Sequence, residues 1–343
     1  MKLAGSLILL FAFFPLTAKA QVVRAVQRVP AQLNAFYSAN QSAEQFKTPS
    51  SLAIAPSGNV YVFDSGNSRV VKVSSGGRYV QDFGGANDKQ GLRISSGGLS
   101  DAIAVDRNEN VYTTNASTGP RIIKFDANGK YLSSFRVPST ANSLAINSRG
   151  EILVALVTPR AIPLVHVFSN DGKFLRAFGD RLVRAQGRIP KEINQVKLAV
   201  DAQDNVFVAF RSWPLVRKYS SDGRLLAENS YPIPPNLMRA EGLRNYSLEF
   251  FSQNPDASFT LPLLVHAAAA NRERGCYVLL NGSGVVKVGA DGSVLKQNIF
   301  LAPQGNNVTF VNLSFDTRTN RVLLLDFKSG IYSMPVARNR SVL

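Results

Sequence analysis

Few residues in this chain can do chemistry on their own. Its 343 residues include two histidines, His166 and His266, and one cysteine, Cys276. Three histidines cannot be gathered around a metal, and a serine–histidine–acid triad would have to use one of these two. No Gly-x-Ser-x-Gly elbow precedes a helical stretch. His166 stands inside the apolar run Pro163-Leu-Val-His-Val-Phe168, where a hydrogen-bonded core histidine is expected. Oxygen ligands are present at Asp101, Asn142 and Asn312, each one or two positions before an apolar run, with Lys197 and His266 at matching places. Three oxygens could hold a hard cation with a water as nucleophile. Lys197 opposes that with its own positive charge and no glutamate joins the set, so polar lining with ordered water is the expected role, with no metal or other cofactor. A second group is basic. Arg181, Arg184, Arg188 and Lys191 fall within eleven residues, and Lys197 follows. Such a cluster suits an anionic partner better than a reaction.

The elements that carry these residues repeat. An apolar run ending in a polar residue is followed four positions later by Asn, Gly or Glu and a second apolar run. Copies occur at Leu52-Ala-Ile with Asn59-Val-Tyr-Val, at Ile103-Ala-Val-Asp106 with Asn110-Val-Tyr, and at Leu144-Ala-Ile-Asn147 with Glu151-Ile-Leu-Val. Others are Leu198-Ala-Val-Asp201 with Asn205-Val-Phe-Val, Ala268-Ala-Ala-Asn271 with Gly275-Cys-Tyr-Val, and Leu313-Ser-Phe-Asp316 with Asn320-Arg-Val-Leu. The anchors Ala55, Asp106, Asn147, Asp201, Asn271 and Asp316 are spaced by 51, 41, 54, 70 and 45 residues. Six copies at that period suit the blades of a β-propeller, four strands each. Five copies also carry a hairpin signal before their last strand, at Gly76-Gly77, Asn128-Gly129, Asp171-Gly172, Asp222-Gly223 and Asp291-Gly292.

With the repeats aligned, the chain resembles the NHL-repeat six-bladed β-propellers, over roughly residues 50–335. The segment Asn59-Val-Tyr-Val-Phe-Asp64-Ser-Gly-Asn67-Ser-Arg69-Val-Val-Lys-Val matches that repeat most closely, and there Asp64 and Arg69 are expected to bridge their own turn. The resemblance implies an all-β six-bladed propeller of four-stranded antiparallel blades. It implies no activity, because propellers of this kind include scaffolds, sensors and enzymes. After Ile331-Tyr-Ser-Met-Pro-Val336 too little chain remains for an outer strand, so the ring is expected to be closed by an N-terminal strand at Val22–Val29.

Residues 1–20 read as a signal peptide: Met1-Lys2, an apolar Leu3–Leu16, then Thr17-Ala-Lys-Ala20 as cleavage site. The apolar stretch is shorter than the ~20 residues of a membrane span. Residues 21–343 are then one domain without a disulfide, exported to the periplasm or the outside. Net charge is +16; without Lys2 and Lys19 it is +14, from 37 basic and 23 acidic residues. That excess favours an anionic polymer or an envelope protein, and export argues against nucleic acid. Long links at 84–100, 179–195 and 229–262 should lie on one face of the ring, where binding residues of propellers sit. In the third link Leu237, Leu243, Leu248 and Phe251 could line a short capping helix. The function expected from sequence is an exported, non-catalytic binding scaffold acting through its long-loop face. The alternative is a metal-dependent hydrolase or lyase at the mouth of the central channel.

Overall fold

A computed structural model of the protein describes residues 28–30, 33–38, 45–85, 101–115, 119–157, 163–182, 191–231, 263–271, 275–281, 284–300, 309–328 and 330–336. Two strands come first, β1 (Arg28–Pro30) and β2 (Asn34–Ser38). Six sheets follow. Blade I holds β3 (Pro49–Ile54), β4 (Val60–Asp64), β5 (Arg69–Val73) and β6 (Tyr79–Phe83). Blade II holds β7 (Ile103–Val105), β8 (Val111–Asn115), β9 (Arg121–Phe125) and β10 (Tyr131–Arg136). Blade III holds β11 (Ala141–Ile146), β12 (Ile152–Leu156), β13 (Val165–Phe168) and β14 (Phe174–Phe178). Blade IV holds β15 (Val196–Val200), β16 (Val206–Phe210), β17 (Leu215–Tyr219) and β18 (Leu225–Ser230). Blade V holds β19 (Val265–Ala270), β20 (Cys276–Leu280), β21 (Gly284–Val288) and β22 (Val294–Phe300). Blade VI holds β23 (Phe310–Asp316), β24 (Arg321–Asp326) and β25 (Gly330–Pro335). Among the described residues there is no α-helix; the segment expected to form a capping helix lies outside them.

The fourth strand of blade VI comes from the other end of the chain. β2 pairs antiparallel with β25, Asn34 opposite Ser333 and Ser38 opposite Gly330. The sequence pointed to Val22–Val29 for this place, and that assignment is corrected. Val22 to Gln27 fall outside the described residues, and β1 pairs instead in parallel with β22 on blade V. Val29 is taken up by its pairing with Ile299, whereas Asn34-Ala-Phe-Tyr-Ser38 pairs with β25 and delivers Tyr37 into the core, 3 % exposed.

Each blade buries both faces against its neighbours. Six apolar clusters result, one per blade–blade interface, including one where Tyr37, Leu323, Leu325 and Ile331 meet Leu52, Val60, Val62, Val71 and Val73. This is why the second strands β4, β12, β16 and β20 are buried along their whole length, while the outer strands β6 and β18 alternate with solvent.

The repeated polar anchors are turn-builders. Asp106 accepts the Asn108 and Asn110 N–H groups on Oδ1 at 2.8 and 2.9 Å, and Asp201 accepts those of Gln203 and Asn205, both at 2.9 Å. Asn147 does the same for Arg149 and Glu151, and Asn271 for Gly275. An Asx turn thus explains the spacing of four residues from anchor to second strand. A further repeated pair links second to third strands. Lys72, Lys124, Lys218 and Lys287 stand opposite Tyr61, Tyr112, Phe207 and Tyr277. The first three ammonium groups lie 5.4, 5.3 and 4.9 Å from their ring centroids. Blades III and VI place Val167 opposite Leu153 and Ser333 opposite Leu323, losing cation and ring together. Lys72 and Lys218 then donate to Ala127 O and Ala290 O in the next blade, tying blade I to II and IV to V.

Candidate functional site

The inner strands β3, β7, β11, β15, β19 and β23 touch one another in order, and β23 touches β3. They form a closed ring around a cavity of about 280 Å³ lined from all six. The starts of the six strands therefore converge at one end of this channel. The turns between second and third strands reach the same end, since the chain enters there and reverses twice.

The residues expected at this mouth can now be placed. Ser51, Asn142, Lys197 and Asn312 line the cavity. Asn312 Nδ2 lies 3.4 Å from Ser50 O and 3.5 Å from Ser51 Oγ, at the blade VI–blade I junction. Asp101, 4 % exposed, accepts the Ser65 hydroxyl at 2.6 Å, and Ser65 Oγ lies 2.6 Å from Ser50 Oγ. Lys197 Nζ donates to Asn142 O at 2.7 Å. The Asn142 side chain is fully buried, and neither its Nδ2 nor its Oδ1 has a hydrogen-bond partner. His266 Nε2 lies 3.1 Å from Asn281 Oδ1.

Arg211 joins this end although the residues before the inner strands do not point to it. Arg211 follows β16, is 5 % exposed, and donates through one Nη to Gln195 Oε1 at 2.8 Å, with its Nε unpartnered. Its signal lay in the repeat: Ser65, Arg211 and Asn281 are the same position counted from the start of the second strand, and all three reach the mouth. Two cations and one carboxylate thus share a confined space. Burial pulls the Lys197 ammonium well below the usual lysine range; the Arg211 charge pulls further, and Asp101 opposes. Burial alone brings Arg211 down to about 10. His266 is lowered first by burial and also by Arg211 and Lys197, against the hydrogen bond that its ring N–H gives to Asn281 Oδ1. It is a neutral neighbour here.

This set does not fit a hard cation. Asp101 is its single anionic group, and Lys197 and Arg211 both repel a metal. Among the described residues no three His, Cys, Asp or Glu side chains gather where they could share an ion. His166 packs beside the Phe174 ring, centroids 6.1 Å apart, with its pKa lowered by burial and its Nδ1 without the expected partner. Cys276 is buried and free, its thiol pushed up by burial. Asp64 does bridge its own turn, accepting from Arg69 Nε at 2.9 Å, from Asn67 Nδ2 at 2.7 Å and from Lys47 N at 2.7 Å.

The basic link leads into the mouth. Arg181 is half-buried beside Leu182, whose N–H donates to Asn194 Oδ1 at 2.8 Å. Lys191 opens a short 3-10 turn, Lys191–Asn194, that Ile193 anchors in the core. Arg184 and Arg188 lie outside the described residues. Gln195 closes the link and is the residue that holds Arg211.

A family model of the NHL repeat matches residues 46–73, which cover β3 to β5 of blade I. A comparison with curated proteins gives no match. Solved structures share the architecture at low identity. A gluconolactonase from Xanthomonas campestris is 16% identical, with a TM-score of 0.56 over 92% of this chain and 99% of that one. A streptogramin B lyase is 13% identical, with a TM-score of 0.55 over 89% and 98%. The WD40 repeats of RRP9 are 12% identical, with a TM-score of 0.55 over 91% and 100%. At these identities the likeness is one of fold. The class of protein is a six-bladed β-propeller carrying an NHL repeat, and its fold is shared by enzymes and by repeat scaffolds.

Proposed function

We propose that this protein is an exported, non-catalytic binding scaffold that takes an anionic polymer or an acidic protein of the cell envelope on the face where its inner strands start. One observation carries the reading: that face sets Arg181 and the Lys191–Asn194 turn beside a channel mouth where the buried Lys197 and Arg211 share their surroundings with one carboxylate, Asp101. The distribution of charge supports it. Among the described residues seven carboxylates are buried, most of them as Asx anchors, turn bridges and blade links, against five basic groups, while the whole chain holds 23 and 39. The positive excess therefore belongs to the rest of the chain, where a polyanion can reach it. No helix among the described residues is long and apolar enough to cross a membrane.

The experiment is retention of the protein on an anionic polysaccharide matrix at low and physiological salt. The comparison is native protein against the quadruple substitution of Arg181, Arg184, Arg188 and Lys191 by Gln. Native retention should fall as salt shortens the Debye length to roughly 8 Å, and the variant should elute earlier with its melting temperature unchanged. Equal elution of the two at both salts would remove the link from the binding surface. The enzymatic alternative, a metal-assisted hydrolase or lyase, has no observation in its favour at this mouth; a stoichiometric divalent ion in the purified protein would revive it.

A further inference from the structure

The mouth offers more than positive charge. Asn142 presents an amide donor and a carbonyl acceptor, both unpartnered, in a side chain with no solvent exposure that lines the cavity. Burying an amide without partners is unfavourable, so such a group is retained where something satisfies it. Arg211 brings a second unpartnered donor, its Nε. Lys197 donates to Asn142 O at 2.7 Å and lies near enough to Arg211 to feel its charge. Lys197 of β15 is the charged residue that lines the cavity; Arg211 after β16 and Asp101 before β7 bear on it by their charges, and Lys197 and Arg211 in turn lower the His266 imidazole of β19. With Lys197 protonated, Lys197, Arg211 and Asp101 sum to one positive charge. The complement is one negative charge, a donor-accepting group for Arg211 and Lys197, and a hydroxyl beside it for Asn142 Oδ1.

We propose that the channel mouth is a receptor for a hydroxylated monocarboxylate, the carboxylate held by Lys197 and Arg211 and by Asn142 Nδ2, and an adjacent hydroxyl donating to Asn142 Oδ1. This rests on the reading of the same face as an anion-binding surface and names the group that would enter the channel. A cavity of about 280 Å³ is near the lower limit of small-ligand sites and admits one sugar-acid unit. A phosphate dianion would leave one negative charge uncompensated. The carboxylate can come from a free sugar acid or from the terminal unit of an acidic polysaccharide, and the chemistry at the mouth is the same. Anion binding also draws a proton. Burial and the Arg211 charge lower the Lys197 ammonium, and a carboxylate beside it raises it again, so binding takes up a proton wherever the pH lies above the free value.

The single tryptophan, Trp213, stands two residues from Arg211 and reports on the site. The probes are D-glucuronate, a uronate tetrasaccharide, acetate, glucose and inorganic phosphate, titrated into the full mature protein while Trp213 fluorescence is followed. Glucuronate, the tetrasaccharide or both should give a saturable change; a response to the tetrasaccharide alone identifies a polymer end, and a response to glucuronate alone a free acid. Acetate and phosphate should bind at least about tenfold more weakly, and glucose not at all, since a hydrogen bond to a charged group is worth about a factor of ten or more. Calorimetry in two buffers of different ionisation enthalpy should show proton uptake, up to one per ligand, a signature that attachment to exposed lysines does not give. Lys197→Met should weaken glucuronate binding about tenfold or more and abolish the uptake. Phosphate binding as tightly as glucuronate, or binding without proton uptake, overturns the proposal. Silence towards both uronates in a protein still retained on the anionic matrix overturns the channel site and leaves the surface reading standing.

Discussion

Lys197 is placed where an ammonium is least comfortable. It is 8 % exposed, lies near Arg211, and has the Asp101 carboxylate as the counter-charge bearing on it. Its pKa in the folded protein lies below the 10.5 of a free lysine, so between those two values the unfolded chain holds a proton that the folded chain lacks. Stability therefore rises as pH climbs from the folded value to the unfolded one, and the penalty is fully present below both. Lys197→Met removes this titration. It should raise the melting temperature at neutral pH, by about 1–2 kcal/mol of stability, and the gain should vanish above pH 10.5. Thermal melts of the two proteins across that range decide it; a variant less stable than native at neutral pH would mean that the bond to Asn142 O outweighs desolvation. Part of this site was legible from residue types alone: Asp101, Asn142, Lys197, His266 and Asn312 were found from their place before the inner strands. Arg211 was not, because it follows a strand instead of preceding one, and no spacing rule ties a turn residue of one blade to a strand start of another.

At the scale of the element, the repeat is a set of devices, and most left a mark in the sequence. Asx anchors fixed the turn length, and Asn-Gly and Asp-Gly pairs marked the outer hairpins. The glycine of each such hairpin has a second duty. Gly129 has φ +81°, and a Cβ there would run into the Phe83 ring on the outer strand of blade I. Gly172 and Gly223 stand in the same relation to Phe135 and Phe178. Gly150 has φ +76° with open space around it. Gly129→Ala should therefore lose about 1–2 kcal/mol to left-handed strain and a comparable amount to the displaced phenylalanine. Gly150→Ala should lose only the first. Chemical denaturation of the two variants, with Phe83→Ala in the background of Gly129→Ala, separates the contributions. Equal losses for both glycines would show that the hairpin and Phe83 are not in register. The inter-blade half of this device was illegible beforehand, since it joins residues 46 positions apart that belong to different repeats.

At the scale of the whole molecule, stability depends on every interface of the ring, and one of them is built from two distant parts of the chain. β25 has β2 as its outer neighbour, and β2 sets Tyr37 into the cluster between blades VI and I, its ring 5.4 Å from that of Phe46. Phe36 O meanwhile packs against Gly77, the hairpin glycine of blade I, in the place that Phe83 takes against Gly129. The strand thus reproduces an outer strand at both of its contacts, although it belongs to no copy of the repeat. That the last blade needs a strand from elsewhere was legible, but not which segment supplies it, because Val22–Val29 has the β-branched pattern and the pairing that decides for Asn34–Ser38 joins distant parts of the chain. Truncation distinguishes their roles. Removing the chain up to Gln32 takes away β1 and its parallel pairing on an edge already formed, and should lower the melting temperature slightly. Removing it up to Ser38 exposes the β25 edge and the apolar interface beneath Tyr37, and should produce a protein that melts far lower and associates through the bare edge. Tyr37→Ala in the full chain should fall between them, with a loss of about 3–5 kcal/mol as for other large buried aromatics. Calorimetry and light scattering read all three. If the two truncations melt alike, β2 does not hold the first and last blades together, and the seam must be carried by the apolar contacts of β3 and β4 with β23 and β24.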